Sequence, residues 1–372
     1  MFKNSIAPLF WKIIYRMNGL VYHPIGGGAT NVSYASGDTI LESLVLHTLP
    51  DFGPHGDGII NTNFLFSALK LKDKTEGSSK RFQIIDGGLE FWNGILKAEN
   101  SNFKWQLHTA DMSANLQDPS ARLRFDIMTF TGSIVINEKH KAMVKGKAMM
   151  KDFARTLREQ AEGTIPNLFN SAFWNTAPAS TEPESIPTLI SATPTTGTIG
   201  GLNRPGNTYL QNGAYTTAVS DIGSEAGIAA LTRQAMRYAI GAGGRDSPDI
   251  GIMEDNLYAG LVGYLATLNR YRPDDKMAQL GFDTIKLGNL TLSFENTNVL
   301  GGANTITSGY VYLINSNYIK FKVLRDGNFI WNPDGFERVG QKLDKALYFW
   351  VFCNLTTNLP RAHVVLTNVS TT

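Results

Sequence analysis

The sequence predicts an α+β fold, and two contrasting patterns carry that prediction. Apolar and polar residues alternate with a period of two around Phe103, Trp105 and Leu107, as on a β-strand with one wet face. Apolar residues recur at helical spacing within 137–162, and strand-like and helix-like stretches are mixed beyond residue 201. A run of strands, one long helix and a mixed region are together typical of the α+β class.

The composition excludes several classes of protein. The chain has 372 residues, of which 42% are hydrophobic, too many for a disordered chain. Cys353 is the only cysteine, which excludes a disulfide scaffold and indicates a reducing cytosol. Charged residues make up only 18% and the formal net charge is +2, so the charge balance favours neither nucleic acid nor a membrane as the main partner. A surface so poor in charge suits a chain that neighbouring chains cover.

No targeting or membrane-spanning segment is expected. Lys12 and Arg16 interrupt the apolar start of the chain, so a secretory signal is not predicted. The longest apolar run, 346–353, has eight residues, far short of the ~20 that span a bilayer. We interpret it as a buried strand.

The first part of the chain divides into an irregular segment and a hairpin. Residues 1–84 carry turn clusters and little periodicity, which indicates an extended arm or a loosely packed layer. The stretch 89–97, a turn at 99–102 and the alternating residues from 103 onward predict a long β-hairpin within 85–122. Because an isolated hairpin is marginal in water, it needs support from its own domain or from another subunit.

One long helix is predicted over 137–162. Asn137 is a suitable N-cap, and Gly163 and Pro166 are expected to end the helix. Its apolar stripe consists of Met143, Met150, Phe153, Leu157 and Ala161. Its polar face is basic and includes Lys141, Lys145 and Arg155. That face is either solvated or turned toward a polyanion or an acidic partner surface.

The second half of the chain is predicted to mix helices and strands. Residues 177–201 are rich in Pro, Ser and Thr, which predicts a domain boundary there. Helices are expected over 228–239 and from Asp255 onward, with a short strand at 250–253 between them. A hairpin is predicted for 310–324, turning at 315–317, and two strands close the chain at 347–355 and 362–369.

The sequence contains no recognisable catalytic, cofactor-binding or metal-binding motif. A phosphate-binding loop and a nucleophile elbow are missing, and the six histidines are dispersed. Cys353 lies in an aromatic run, where a thiol behaves as a small buried hydrophobe. The acid pair Glu254–Asp255 and the pair at 274–275 are expected to cap a helix and to lie in a solvated turn, with acid–base catalysis as the alternative.

The order of these parts resembles a tailed-bacteriophage major capsid protein with the Hong Kong 97-type fold. Five local stretches are similar to that family, namely 198–204, 247–253, 280–286, 309–315 and 354–361. One departure is that only Tyr209 and Tyr215 stand where the family often has an aromatic-rich stretch. The resemblance implies an N-terminal arm (1–84), an extended hairpin called the E-loop (85–122), a peripheral domain (123–180) with its spine helix (137–162), an axial domain (181–285), return strands and a hairpin of the peripheral domain (286–340), and closing strands of the axial domain (341–372).

The resemblance also implies a function in assembly and no enzymatic activity. The chain would self-assemble as hexamers and pentamers into an icosahedral shell around a double-stranded DNA genome, within the virion and after synthesis in the host bacterial cytoplasm. Neighbouring subunits would contact Phe103, Trp105 and Leu107, and packaged DNA would face Lys141, Lys145 and Arg155 without sequence specificity. Scaffold, portal and cement proteins are further partners that the family allows, while cofactors and membranes are not expected. The alternatives are a decoration or tail protein of a phage, or an enzyme with an unrecognised site.

Overall fold

The computed structural model describes residues 42, 44–45, 64–73, 81–105, 115–144, 147–216, 221–238, 246–267, 284–295, 306–340 and 344–371. Most of the expected arm at 1–84 therefore lies outside the described residues. The helices are α1 (Phe64–Asp73), α2 (Glu138–Met143), α3 (Lys147–Trp174), α4 (Ile186–Leu189), α5 (Glu225–Arg237) and α6 (Asp255–Thr267). The strands are β1 (Phe82–Ile85), β2 (Glu90–Leu96), β3 (Ser120–Asp126), β4 (Met128–Asn137), β5 (Thr198–Ile199), β6 (Leu202–Asn203), β7 (Gly213–Thr216), β8 (Ile250–Glu254), β9 (Ile285–Leu287), β10 (Leu290–Glu295), β11 (Val311–Ile314), β12 (Ile319–Leu324), β13 (Ile330–Trp331), β14 (Glu337–Arg338), β15 (Asp344–Thr357) and β16 (Val364–Thr367).

Two six-stranded sheets organise the described chain. Sheet I runs β1-β12-β15-β13, with β4 and β14 also paired to β15. Sheet II runs β7-β16-β11-β8-β10-β9. Two small antiparallel sheets, β2-β3 and β5-β6, complete the set. The fold is thus a mixture of helices and largely antiparallel sheets, as predicted.

Strand β15 is the centre of sheet I. It is 14 residues long and contains the apolar run at 346–353, so the buried strand predicted there is confirmed. It pairs with β4 from Asp344 opposite Asn137 to Cys353 opposite Met128. Complete burial raises the pKa of the Cys353 thiol to about 12, which keeps it protonated and unreactive.

Helix α3 extends well beyond its predicted end. Its buried side is continued by Ala161, Ile165, Phe169 and Phe173 at spacings of four, and Pro166 lies inside the helix. A proline within a helix costs ~3 kcal/mol. Here that cost is offset by aromatic packing, because the Phe169 ring contacts three other phenylalanine rings. Its centroid lies 4.7 Å from that of Phe130, 5.9 Å from that of Phe173 and 5.9 Å from that of Phe329. The predicted end at residue 162 is therefore wrong.

The beginning of the predicted helix is also different. Asn137 does act as a cap, since its Oδ1 accepts a hydrogen bond from the Lys139 amide at 2.7 Å. The helix that follows it, α2, ends at Met143, and α3 begins separately at Lys147. Met143 is exposed and does not belong to the buried stripe. The single helix predicted over 137–162 therefore corresponds to two helices, α2 and α3.

Sheet II separates two apolar cores. One of its faces, including Ile252 and Tyr312, joins the core that contains the end of α3, where the Tyr312 and Trp174 ring centroids are 5.7 Å apart. The opposite face, including Met253 and Leu313, packs against α5 and α6. The helices predicted from 228 and from Asp255 are confirmed as α5 and α6, and the strand between them is confirmed as β8.

The hairpin predicted at 310–324 is not formed. Strand β11 pairs with β8 and β16 in sheet II, whereas β12 pairs with β1 and β15 in sheet I. The connection is held by long-range hydrogen bonds: the Asn315 amide donates to Nδ1 of His363 at 3.2 Å, and the Ser316 amide donates to Asp249 at 2.8 Å. Arg81 Nε donates to the Ser316 carbonyl at 2.9 Å. These contacts direct the chain from one sheet to the other, and the strands expected together in 286–340 divide between both sheets.

Candidate assembly surface

The hairpin is built from β2 and β3, which pair antiparallel from Glu90 opposite Asp126 to Leu96 opposite Ser120. Side chains along each strand alternate between buried and exposed, as the period of two requires. The buried face consists of Phe91, Asn93, Ile95, Leu123 and Phe125. A hairpin was predicted in this region, but its second strand is 120–126 and not the stretch that begins at Phe103.

The base of the hairpin is anchored on its own subunit. Asn93 Nδ2 donates to the carbonyl of Thr357 in β15 at 3.0 Å. Lys322 of β12 donates from Nζ to Asn93 Oδ1 at 2.7 Å and to the Trp92 carbonyl at 3.0 Å. The Arg124 amide donates to the Gly200 carbonyl at 3.0 Å. At its base, the hairpin is therefore supported by its own chain, which is one of the two kinds of support expected from the sequence.

Beyond the two strands, side chains hold the legs of the hairpin together. The Asn102 side chain donates to the Asn115 carbonyl at 2.8 Å and accepts from its amide at 3.2 Å. Lys97 forms an ion pair with Asp118, and the Ser101 amide donates to Gln117 Oε1 at 3.3 Å. These bonds continue the hairpin to residues 102 and 115 without strand geometry.

The outer part of the hairpin exposes large apolar side chains. Phe103 is 86% exposed, and Trp105 and Leu116 are fully exposed. Of the twelve large hydrophobic side chains exposed among the described residues, six belong to this hairpin: Leu89, Trp92, Leu96, Phe103, Trp105 and Leu116. Leu107, the third predicted contact residue, lies outside the described residues. Such a concentration of exposed apolar surface marks an interaction site.

The outward face of β2 and β3 carries charges that the sequence analysis did not single out. Arg122 and Arg124 lie over the Trp92 ring, with guanidinium carbons 5.2 and 5.4 Å from its centroid. Glu90 and Asp126 stand opposite one another at the base of the same face. The signal in the sequence was the alternation of Arg122, Arg124 and Asp126 with apolar residues in β3.

The three residues of the predicted basic face are not brought together on one helix. Lys141 belongs to α2, Arg155 belongs to α3, and Lys145 lies outside the described residues. Arg155 Nε forms an ion pair with Glu159 Oε1 at 2.6 Å, and this hydrogen bond raises the pKa of the guanidinium. Its charge is therefore balanced locally, because the partner lies one helical turn away.

The buried ionisable groups have structural partners. Glu254 accepts hydrogen bonds from Ser308 Oγ at 2.9 Å and from the Gly309 amide at 3.2 Å, which favours a structural over a catalytic role. Burial raises the pKa of Glu295 to about 7, and Asn170 donates to this carboxyl at 2.6 Å. Burial lowers the pKa of His363 to about 3, so its ring is neutral where it accepts from Asn315.

The described part of the chain contains neither a metal-ligand cluster nor a membrane-spanning helix. No group of three or more histidine, cysteine or acidic side chains there could hold a metal ion. None of the helices in that part combines the length and hydropathy that a bilayer crossing requires.

Comparison with known proteins identifies the fold. No protein-family model and no curated protein sequence matches the chain. Among solved structures, a chain of the cyanophage A-1(L) capsid is similar with a TM-score of 0.57 and 10% identity, over 78% of this chain and 90% of that one. The bacteriophage PhiM1 mature capsid gives a TM-score of 0.47 at 10% identity, over 79% and 87% of the two chains. The satellite phage P4 procapsid gives 0.45 at 10% identity, over 98% of both chains. The first of these similarities establishes that the chain has the Hong Kong 97-type capsid fold, as its sequence predicted.

Proposed function

We propose that this chain is the main shell subunit of an icosahedral tailed-phage head. The observation that carries the proposal is the fold shared with the cyanophage A-1(L) capsid chain. In this role the chain assembles into hexamers and pentamers, and the shell encloses double-stranded DNA in the virion. Its work is association between copies, and it needs no cofactor and catalyses no reaction.

The hairpin supports the same proposal. Its base is tied to β12 and β15, whereas Phe103, Trp105 and Leu116 are exposed further along it. Burying an exposed aromatic side chain removes ~150–250 Å² of surface from water, so these residues would stabilise contact with a neighbouring subunit strongly. Phe103, Trp105 and Leu107 are the contact residues we propose, and Leu116 joins them.

The second part of the proposal concerns the inner surface of the shell, which faces the packaged DNA. Lys141, Lys145 and Arg155 face the packaged DNA, and binding there is weak and non-specific. The ion pair between Arg155 and Glu159 supports weak binding, because a guanidinium with a carboxylate beside it releases few counterions from DNA. Assembly takes place in the host bacterial cytoplasm, and scaffold, portal and cement proteins are the partners that could join the shell.

The test is the assembly state of the expressed protein. We expect size-exclusion chromatography to give material of very high mass, and negative-stain images to show closed shells or six-membered rings. A compact monomer at all concentrations, with neither rings nor shells, would contradict a shell subunit. Fibres or tubes without closed particles would instead indicate a tail component.

A further inference from the structure

The outward face of β2 and β3 has an ordered arrangement of charge. Its four cross-strand pairs, from base to tip, are Glu90–Asp126, Trp92–Arg124, Gly94–Arg122 and Leu96–Ser120. Two carboxylates therefore lie at one end, and two guanidiniums lie further along, over the Trp92 ring. We call this surface the hairpin face.

The charges of the hairpin face are not matched within the described chain. Glu90, Asp126, Arg122 and Arg124 form no ion pair with any described residue. Like charges directly opposite on a sheet repel one another, so the Glu90–Asp126 pair is unfavourable in the isolated subunit. Trp92 also remains 48% exposed beneath its two arginines. The face thus carries electrostatic and apolar surface that a partner could satisfy.

We propose that the hairpin face pairs with the hairpin face of a second copy of this chain, about a two-fold axis. Two copies that run antiparallel place the carboxylates of each against the guanidiniums of the other when the axis passes beside Trp92, between the carboxylate pair and the arginines, so that only the base and middle of the two faces overlap. Such a contact is isologous, since the same patch serves both subunits. Both Trp92 rings come toward its middle, where aromatic residues and arginines contribute most to binding.

The charge pattern favours a second copy over nucleic acid. Arg122, Arg124 and Trp92 alone would suit a phosphate backbone and its bases. The carboxylates of Glu90 and Asp126 on the same face would repel that backbone, whereas self-pairing uses charges of both signs.

The size of the face indicates where the contact operates. Seven residues per strand extend over about 24 Å, and the face is only two strands wide. This area is well below the roughly 1,000 Å² that a stable dimer buries. The pairing therefore rests on the proposed function, because a shell repeats the same weak contact many times.

The test uses two charge-reversed proteins that should fail separately and succeed together. Arg122→Glu with Arg124→Glu makes the face wholly acidic, and Glu90→Arg with Asp126→Arg makes it wholly basic. We expect each variant to show the circular dichroism spectrum of a folded subunit. We expect the yield of shells to fall at least about tenfold, because like charges then meet across the axis. An equimolar mixture of the two should recover the shells.

A matched control carries all four substitutions in one chain. This quadruple variant keeps the net charge and the self-complementary order, so it should assemble like the wild type. If both reversed variants assemble alone, or if neither the mixture nor the quadruple variant recovers, the self-pairing is overturned while the shell function stands.

A measurement without shells separates the two proposals. Gly94 lies in the middle of the face, where an added Cβ meets open space, and the one native cysteine is buried. Gly94→Cys at high protein concentration should give covalent dimers with a flexible bis-maleimide, because the cross-linker traps even a weak and transient contact, and the Arg122→Glu, Arg124→Glu background should abolish them. Wild-type protein that forms no shell, together with these dimers, would contradict the shell function alone; absence of the dimers would overturn the pairing.

Discussion

Lys322 and Asn93 meet across 2.7 Å, Nζ to Oδ1, and join β12 of sheet I to β2 of the hairpin. The pKa of Lys322 is lowered to about 8, chiefly by burial and also by the charge of Lys320. As the pH falls, a basic group whose pKa is lower in the folded state becomes protonated in the unfolded chain before it does in the folded one. The lowered pKa of Lys322 therefore destabilises the fold progressively as the pH falls from the ordinary lysine pKa of 10.5 to about 8.

The first prediction follows from that sign. Between pH 8 and 10 the free energy of unfolding should rise with pH more steeply in the wild type than in Lys322→Met, which has no group to titrate. Urea unfolding at several pH values, followed by tryptophan fluorescence, measures both slopes. Lys286→Met is the control, because Lys286 is an exposed strand residue. Equal slopes in the wild type and Lys322→Met would contradict the lowered pKa.

The second prediction concerns the exposed hairpin residues. Phe103→Asp with Trp105→Asp should leave the subunit folded, since both side chains are exposed and contribute little to its core. Shell formation should be lost, because a charge at an interface core costs several kcal/mol. Phe103→Tyr with Trp105→Phe keeps the aromatic surface and should still assemble. Normal shells from the Asp variant in negative-stain images would remove Phe103 and Trp105 from the interface.

Local sequence patterns correctly predicted the elements whose structure does not depend on contacts with distant residues. The eight apolar residues at 346–353 identified the buried strand β15, and Asp255 at the start of an apolar stripe identified α6. In both cases the residues carry the signal themselves, since burial or helical periodicity decides the local structure. Phe103 and Trp105 were predicted as strand residues that contact a neighbouring subunit. Both are exposed, but their alternation does not correspond to a strand, and the contact stays a prediction.

The errors arose where distant residues decide the outcome. Pro166 ends a helix by local rules, yet the ring of Phe169 packs against Phe130 and Phe329 and keeps α3 intact. The turn signal at Asn315 was real, but Asp249 and His363 direct the chain into another sheet. Neither set of contacts can be read from spacing along the chain, because the partners are 39 to 160 residues apart in the sequence.

The third prediction compares two residues on the buried side of α3. Leu157 is half-buried at the edge of the core, so Leu157→Ala should lower the free energy of unfolding by about 1–2 kcal/mol. Phe169 is buried among three other rings, and Phe169→Ala should cost about 3–5 kcal/mol. Chemical denaturation of the isolated subunit measures both values. An equal loss for the two would contradict the orientation of α3.

The fourth prediction concerns a buried guanidinium. Arg204 donates to the carbonyls of Thr188 at 2.6 Å and Leu189 at 3.2 Å, and to Asn212 Oδ1 at 3.1 Å. Burial lowers the pKa of Arg204, but these three acceptors hold the group in place. Arg204→Met should destabilise the subunit by about 2–4 kcal/mol, because it leaves buried acceptors unpaired.

A surface arginine provides the comparison for Arg204. Arg325 pairs with Asp86 at 2.7 Å, and both side chains are largely exposed. Arg325→Met should change stability by less than about 1 kcal/mol, as exposed ion pairs generally do. Thermal unfolding of the two variants side by side measures the difference. Similar melting temperatures would mean that the contacts of Arg204 do not stabilise the segment around Thr188.

The last prediction concerns DNA. Since Glu159 balances the charge of Arg155, purified subunits should bind duplex DNA weakly, and binding should fade between about 50 and 200 mM salt. Glu159→Gln removes the carboxylate and leaves Arg155 free to contact a phosphate. We expect tighter binding in fluorescence anisotropy and a salt dependence steeper by about one unit. Arg155→Gln with Glu159→Gln should return both quantities to the wild-type values. An unchanged affinity for DNA in Glu159→Gln would mean that Arg155 does not face DNA. A sequence-specific complex that survives the higher salt would favour a nucleic-acid-binding function over that of a shell subunit.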